Sequence, residues 1–276
     1  MKKISATFLL LSLAFLSVHA QYYYRDIISN RQLMTEMAQY RENKVRLIKI
    51  RSFEDDGTES DGFFCEKKIS RDYRKTELFT RSNISGVSLL TSLFNEKGQL
   101  VSTSDSSELA VSVNRYTYDN DGRIVTILSV IRSSDDDFTS EIKEEHIYFY
   151  GNGHIPEKMI RVKNVTDSTS ILFGVDEQNN VSIEKDSRNG SKYYYYYDSR
   201  NRLTDIVHSN EHTTRLIPDY LFEYNNAGQL VQMTNTEEGG SNYFVWKYSY
   251  ENGLRSKEKC YSKERKLMGS IEYVYD

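Results

Sequence analysis

The stretch Tyr116-Thr117-Tyr118-Asp119-Asn120-Asp121-Gly122-Arg123-Ile124 decides the fold of this chain. Two alternating tyrosines end a strand, an Asp and a Gly three residues later mark a tight turn, and an aliphatic residue opens the next strand. Asp favours the first turn position because its side chain hydrogen-bonds the backbone further on, and Gly enters the left-handed region without steric cost. The stretch therefore predicts a β-hairpin.

The same construction recurs along the chain from Phe53 to Asp276. We align its copies on the residue before each turn: Phe53, Phe94, Tyr118, Phe149, Val175, Tyr197, Tyr224, Tyr250 and Tyr275. The residues predicted to complete the turns are Gly57, Gly98, Gly122, Gly153, Asn179, Asn201, Gly228 and Gly253. Self-similarity at short intervals is the signature of a repeat architecture.

The strands before these turns alternate between apolar and polar positions, which predicts one buried and one solvated face. Tyr116, Tyr195 and Tyr248, two residues ahead of the aligned aromatic, belong to the apolar column. The predicted fold is mainly β: an antiparallel array of β-hairpin repeats that forms a curled open sheet or roll, with a short N-terminal α-helix.

The string Tyr-x-Tyr-Asp-x-x-Gly-Arg-Ile at 116–124, with looser copies at 195–203 and 222–230, resembles the YD repeat of RHS-type proteins. The resemblance is at the level of the repeat and covers the turn copies over about the last two-thirds of the chain. It implies strand–turn–strand units that assemble into long curled sheets or shells, often in secreted or surface proteins.

Residues 1–20 predict a secretory signal peptide. Lys2 and Lys3 precede the apolar run 8–16, and small residues surround a cleavage site after Ala20. The mature chain would begin at Gln21, without a transmembrane segment. We expect the protein in the periplasm, associated with the outer envelope, or outside a bacterial cell.

The remaining chain divides by pattern into three parts. Residues 21–57 hold a helix over 26–43 and a first strand, residues 58–92 form an irregular β segment, and residues 93–276 form the repeat array. Ser29 and Gln32 fit a capping box at the start of the helix. We interpret the helix as a cover for an open end of the sheet, in preference to a docking helix for a partner.

The charge of the chain bears on its partners. The formal net charge is −4, and removal of a leader containing Lys2 and Lys3 leaves about −6. With no basic cluster in the sequence, nucleic acid is a poor candidate partner. An envelope protein or a polysaccharide is the expected partner.

Cys65 and Cys260 are the two thiols of this exported chain. The compartment permits a disulfide between them. Two buried, unpaired thiols are the favoured alternative, because the two cysteines lie far apart in a linear array and free Cys is commonly buried.

His208-Ser209-Asn210-Glu211-His212 matches the H-x-x-E-H string of inverted zinc peptidases. That chemistry needs both His on one face of a helix. Here the surrounding residues lack helical periodicity and predict a polar connection between hairpins. We therefore predict no metal and no cofactor, and a metal-dependent hydrolase is the least favoured function.

The run Tyr193 to Tyr197 continues the apolar column through its odd-numbered members. Tyr194 and Tyr196 are then predicted on the solvated face, and Tyr148 joins them by the same parity. Exposed aromatics on a rigid sheet suit sugar stacking or protein contact. Ordinary cross-strand pairing of good strand formers is the favoured alternative.

These patterns favour an exported, non-catalytic scaffold or binding protein of the bacterial cell envelope or surface that contacts another protein. No catalytic residues are predicted. The alternative function is a glycan-binding module that uses Tyr148, Tyr194 and Tyr196.

Overall fold

A computed structural model describes residues 22–134, 141–210, 213–237 and 241–276. The predicted signal peptide lies outside these residues. The described chain is mainly β and antiparallel, with one helix, α1 (Arg25–Glu42), near its start. No helix in the described part is long and apolar enough to cross a membrane.

Eighteen strands follow the helix. Their bounds are β1 (Leu47–Phe53), β2 (Phe64–Ile69), β3 (Lys75–Ser82), β4 (Gly86–Phe94), β5 (Leu100–Ser107), β6 (Ala110–Tyr118), β7 (Ile124–Ser133), β8 (Glu141–Tyr150), β9 (Pro156–Lys163), β10 (Asp167–Val175), β11 (Val181–Asp186), β12 (Lys192–Tyr197), β13 (Leu203–Asn210), β14 (Thr213–Tyr224), β15 (Leu230–Thr236), β16 (Tyr243–Glu251), β17 (Leu254–Ser262) and β18 (Leu267–Tyr275). Residues 58–92, predicted to be irregular, contain the regular hairpins of β2, β3 and β4.

The strand order corrects the predicted open sheet. Strands β2 to β9 and β10 to β18 each follow chain order, β9 also pairs with β10, and β1 pairs with β2, β10 and β18. Every strand therefore has at least two neighbours, and the sheet closes on itself. Open sheet edges present unpaired backbone groups, and closure removes them. The pairing of β1 with β18 joins residues at opposite ends of the chain, which local patterns do not specify.

The chain divides into two compact units. The helix unit comprises residues 23–50, 62–171 and 274–276, and the C-terminal unit comprises residues 51–61 and 172–273 together with Tyr22. In each unit one face of the sheet, the buried face, carries most of the buried side chains. The opposite face is called the outer face below.

Helix α1 lies on the buried face of the helix unit. Ile27, Met37 and Tyr40 are buried, and Asn30 donates a hydrogen bond to the Tyr118 hydroxyl at 2.8 Å. The helix begins at Arg25 with Tyr24 as N-cap and no side-chain cap bond, so the predicted capping box at Ser29 is wrong. Asp26 in the first turn complements the positive end of the helix dipole instead.

Several hairpin turns follow one construction, which Asp119 illustrates. Its carboxylate accepts hydrogen bonds from the backbone N–H groups of Asp121 at 3.0 Å and Arg123 at 2.9 Å. Gly122, with φ +77°, donates its N–H to the Asp119 carbonyl oxygen at 3.1 Å. A β-bulge follows, because Tyr118 pairs with Ile124 whereas Thr117 pairs with Thr126.

Positive φ angles occur at all but one of the predicted turn residues: Gly57, Gly98, Gly122, Asn179, Asn201, Gly228 and Gly253. Gly153 is the exception, and the predicted left-handed turn residue there is wrong. In β8 the bulge falls between Phe149 and Tyr150, and Tyr150 pairs with Pro156. The residue at the bulge is therefore Tyr150, whereas the sequence alignment placed Phe149, the preceding residue, at this position.

A recurring hydrogen bond connects five of the repeats to the repeat before each of them. The hydroxyls of tyrosines at the bulge donate to the carbonyl oxygen of the first residue of the preceding return strand. The pairs are Tyr118 to Leu100 at 2.6 Å, Tyr150 to Ile124 at 2.8 Å, Tyr197 to Val181 at 2.9 Å, Tyr224 to Leu203 at 2.8 Å and Tyr250 to Leu230 at 2.7 Å. Since bulges disrupt the backbone ladder, these hydroxyls supply partners that the ladder does not.

Arginine side chains add a second connection between repeats. Arg202 forms an ion pair with Asp198 of its own turn at 2.6 Å and donates to the Asn225 carbonyl oxygen of the next turn at 3.1 Å. Its guanidinium carbon lies 4.8 Å from the centroid of the Tyr224 ring. Arg123 makes the corresponding contacts with Asp119, Gly153 and Tyr150. These contacts hold successive hairpins in a defined register.

Candidate functional sites

Tyr148 does not lie on the outer face as predicted. It is 3% exposed, and its hydroxyl donates to the Asp26 carboxylate at 2.8 Å beneath helix α1. The cause is the one-residue shift in β8, since moving a strand by one residue transfers every side chain to the other face. His146 and Tyr148 are buried on one face of β8, whereas Phe149, on the other face, is exposed.

Tyr194 and Tyr196 lie on the outer face of β12, and the structure leaves Tyr194 half-buried and Tyr196 47% exposed. Tyr194 pairs with Ile183 and Val207 on the neighbouring strands, and Tyr196 pairs with Asp205. Tyr193 and Tyr195 are buried on the opposite face. The three tyrosines of the predicted glycan site therefore do not share the outer face, because Tyr148 lies on the buried face of the helix unit.

Cys65 and Cys260 are both buried free thiols, so the disulfide is not formed. Cys65 lies 3.4 Å from the Thr80 hydroxyl across β2 and β3, and burial raises the pKa of its thiol. Cys260 packs with Trp246 and Tyr248, and burial raises its pKa to about 12. Each thiol thus contacts residues of its own unit.

His208 belongs to β13, which runs on to Asn210 where the sequence predicted a connection. Its Nδ1 lies 2.8 Å from a carboxylate oxygen of Asp219 on β14, and this hydrogen bond raises the pKa of His208. Glu211 and His212 lie outside the described residues. Among the side chains that the structure describes, no group of three or more His, Cys, Asp or Glu is arranged to hold a metal ion.

A buried charge cluster joins helix α1 to the sheet of the helix unit. His146 Nδ1 lies 2.6 Å from the Asp26 carboxylate, and His146 Nε2 lies 2.9 Å from the Glu144 carboxylate. Arg161, opposite His146 on β9, donates to the Tyr23 hydroxyl at 2.6 Å. The Tyr23 ring packs edge-on against His146, with 5.3 Å between centroids. The cluster ties the segment 23–26 to β8 and β9.

The charge state of His146 follows from these contacts. Both ring nitrogens face carboxylates, which accept but do not donate, so both nitrogens must carry protons. Burial opposes the charged form, but Asp26 and Glu144 outweigh it and raise the His146 pKa to about 9. The His146 hydrogen bond in turn lowers the pKa of Glu144. The geometry of the cluster is that of a structural clasp between helix α1 and the sheet of the helix unit.

An exposed apolar patch, the outer patch, covers the outer face of β2, β3 and β4. Its members are Phe64, Phe79, Val87, Leu89 and Leu93. Phe64 is 43% exposed, and its ring packs edge-on against Phe79 with 5.9 Å between centroids. Phe79 lies directly opposite Leu89, and the Arg81 guanidinium lies 5.8 Å from the Phe64 ring centroid. Phe64, Phe79 and Leu89 are thus neighbours across three adjacent strands.

A groove of about 850 Å³, the outer groove, lies on the outer face of β14 to β17 in the C-terminal unit. Leu221, Thr234, Val245 and Tyr261 form one straight row across these strands, since each is the direct cross-strand partner of the next. Leu216, Ile217 and Pro218 extend the aliphatic lining on β14. The groove is thus apolar on its β14 side.

The other side of the outer groove is cationic. Lys247 on β16 and Lys263 and Arg265 after β17 line it, and no acidic residue does so within the described chain. The Lys247 ammonium lies 5.7 Å from the Tyr261 ring centroid, and Lys263 donates to the Ser241 carbonyl oxygen at 2.9 Å. Glu264 lies in the same turn but accepts a hydrogen bond from Ser262. The sequence did not predict a basic cluster, because these cations come from separate segments.

No protein-family model matches this sequence, and no curated protein is similar to it. Among solved structures, it is similar to a porin-like protein from Bacteroides uniformis, with 8% identity, 84% of this chain and 98% of that chain covered, and a TM-score of 0.43. It is also similar to a porin-like protein from Bacteroides vulgatus, with 12% identity and a TM-score of 0.31. That match covers 84% of this chain and 99% of the other chain. A match to the TcdB2-TccC3-Cdc42 structure has 14% identity and a TM-score of 0.35, covering 88% of this chain and 12% of that chain. At these TM-scores none of the likenesses identifies a family or a function.

The sequence analysis predicted neither the outer patch nor the outer groove. The alternation of side chains along the strands is the signal that would have identified their residues. On β16 the buried Trp246 and Tyr248 alternate with Val245 and Lys247. The residues that alternate with the buried ones on β14 to β17 line the outer groove. On β3 and β4 the corresponding residues include Phe79 and Leu89. Strand pairing is then needed to bring these residues together.

Proposed function

We propose that this protein is an exported, non-catalytic β-repeat scaffold of the bacterial cell envelope that binds another protein through the outer patch. The observation that carries the proposal is the exposure of Phe64 and Phe79 beside Leu89 on three adjacent strands. Large contiguous apolar patches are rare on soluble surfaces and mark interaction sites. Aromatic residues are also the commonest anchors of protein interfaces.

Arg81 defines the chemistry of the partner. Its guanidinium lies over the Phe64 ring, and in the described part of the chain no carboxylate forms an ion pair with it. Arg and aromatic residues together are enriched in interface cores. The expected partner presents apolar side chains to Phe64, Phe79 and Leu89, with a carboxylate placed to meet Arg81.

The repeat contacts support a scaffold role. Tyr118 and Tyr150 hydroxyls and the Arg123 guanidinium link successive hairpins of the same unit. A surface held in this way loses little conformational entropy when a partner binds, which favours affinity. A short helix on the buried face leaves the outer face of β2 to β4 free for contact.

The test is affinity purification of mature Gln21–Asp276 from an envelope extract of its own host, with mass spectrometry and carbohydrate analysis of the bound material. We expect one stoichiometric protein that is lost when Phe64→Ser and Phe79→Ser are combined. The matched control combines Phe149→Ser and Leu172→Ser, which are exposed apolar residues on β8 and β10, outside the strands of the patch. A partner that stays bound to the patch variant, or is lost equally from the control, contradicts the proposal.

A second candidate is a glycan-binding module. The observation that favours it is the position of Tyr196 beside Tyr194 on one outer face, with Tyr196 accessible for stacking. Polysaccharide in the purified material, lost in a Tyr194→Ala and Tyr196→Ala variant but retained by the patch variant, would support this function. Polysaccharide that both variants retain would exclude these tyrosines.

A further inference from the structure

The outer groove has opposite chemical character on its two sides. Aliphatic side chains of β14, including Leu216 and Leu221, line one side, and Lys247, Lys263 and Arg265 line the other. Three strand spacings separate β14 from β17, which is about 14 to 15 Å across the sheet. A bound molecule that satisfies both sides must carry an apolar part and an anionic group within this span.

We propose that the outer groove binds a single-chain amphiphile, in which a hydrocarbon tail ends in one anionic headgroup, a carboxylate or a phosphate. The tail lies against Leu221 and Val245, and the headgroup lies between Lys247 and Lys263. Arg265 supplies planar guanidinium donors that suit both kinds of headgroup. The volume of about 850 Å³ falls in the range of small-molecule sites.

The charge balance supports an anionic ligand. The mature chain has an excess of acidic residues, yet the described lining of the groove contains cations and no acids. Lys259, directly opposite Lys247 on β17, adds to the positive potential. Glu223 is the carboxylate on the same cross-strand row, and it accepts a hydrogen bond from Gln232. The charged side chains that line the β17 side of the groove are therefore all cations.

The aromatic side chains fit the same ligand. Tyr261 lies at the end of the apolar row and below the Lys247 ammonium, so its ring borders both the tail and the headgroup. Tyr243 lines the groove on β16. An uncharged hydrocarbon would leave the cations without a partner, and a small anion without a tail would leave the β14 side in contact with water.

The experiment is calorimetric titration of mature Gln21–Asp276 with dodecanoate and with dodecyl phosphate, below their micelle concentrations. We expect saturable binding of one molecule per chain that weakens as salt is raised. Dodecanol tests whether binding needs the charge, and acetate tests whether it needs the tail. We expect each to bind at least about ten-fold more weakly than dodecanoate. The tighter of the two anionic amphiphiles identifies the headgroup.

Substitutions in the groove distinguish ligand binding at this site from nonspecific adsorption elsewhere on the protein. Lys247→Glu combined with Lys263→Glu should weaken dodecanoate binding by about ten-fold or more. The control combines Lys185→Glu with Lys192→Glu, a pair of directly opposed lysines on β11 and β12 that lies outside the groove, and should leave the affinity within about two-fold. Leu221→Asp tests the tail side and should also weaken binding. Far-UV circular dichroism and a melting curve establish that each variant is folded.

Three results would overturn the proposal: no saturable binding of either anion, equal binding of dodecanol, or unchanged binding by the double groove variant. The outer groove and the outer patch are formed by different strands. Loss of a protein partner in the Phe64 and Phe79 variant, with dodecanoate binding intact, therefore tests the proposed function separately from this inference.

Discussion

The Tyr224 hydroxyl donates a hydrogen bond to the Leu203 carbonyl oxygen at 2.8 Å, and the same relationship joins Tyr118 to Leu100. In each case the donor lies at a bulge, and the acceptor is the first residue of the preceding return strand. This bond explains why the repeat favours Tyr where Phe would fill the same space. A phenylalanine ring at the same place has no donor for the carbonyl oxygen.

Tyr224→Phe should lower the free energy of unfolding by about 1 kcal/mol, because it leaves the Leu203 carbonyl oxygen without its hydroxyl partner. Urea unfolding followed by circular dichroism measures the change. Tyr196→Phe is the matched control, since the Tyr196 side chain is exposed, and it should change stability by less than about 0.5 kcal/mol. Equal effects of both substitutions would mean that the hydroxyl bond contributes nothing.

Gly228→Ala should destabilise the protein by about 1 kcal/mol, because alanine is strained at the φ of +83° found there. No neighbouring atom lies within 4 Å of the added Cβ position, so the cost is conformational. Gly153→Ala is the control, since Gly153 does not have a positive φ among the described glycines and its nearest neighbour is 3.9 Å from the added Cβ. A larger loss at Gly153 than at Gly228 would contradict the assignment of the turns.

Protonated His146 should stabilise the helix clasp in a defined pH range. Its pKa in the folded protein is about 9, above the usual value of 6.5. The stabilisation is therefore complete below about pH 6.5 and is lost as the pH rises through 9. The groups that face His146 are Asp26, Glu144, Tyr148, Tyr23 and, across the strands, Arg161.

The measurement compares the free energy of unfolding of the natural protein and His146→Gln between pH 6 and pH 10. The difference between the two should be largest at pH 6 and should shrink towards pH 10. On the acid side, protonation of Glu144, whose pKa is lowered, should weaken the clasp as the pH falls below the ordinary range for Glu. A difference that is constant with pH would show that His146 is not charged in the folded protein.

Both cysteines should be unreactive thiols in the folded protein. Burial raises the pKa of Cys65 and of Cys260, which removes the thiolate needed for attack on a disulfide reagent. Titration with such a reagent should detect almost no thiol under native conditions and both thiols in guanidinium chloride. Absence of thiols in the unfolded, unreduced protein would demonstrate a disulfide and contradict the structure.

The sequence predicted the repeat better than it predicted the sites. Asp119 and Gly122 carry a turn that needs only local contacts, so the alternation and the turn chemistry were sufficient to predict it. Near Phe149 the aromatic residues Phe149 and Tyr150 are adjacent, and the sequence does not distinguish which of them lies at the bulge. Choosing Phe149 assigned Gly153 to a left-handed turn position that it does not occupy, and it placed Tyr148 on the wrong face because side chains alternate with a period of two.

By itself the sequence determined the antiparallel hairpins, the single helix at the start of the described chain and the faces of most strands. These features depend on interactions between residues close together in the chain. Only the tertiary structure decided that β1 completes the sheet, that Asp26 and Glu144 enclose His146, and that Lys247, Lys263 and Leu221 share one groove. Those relationships depend on pairing and register between separate strands, which bring together residues whose local sequence carries no signal of the contact.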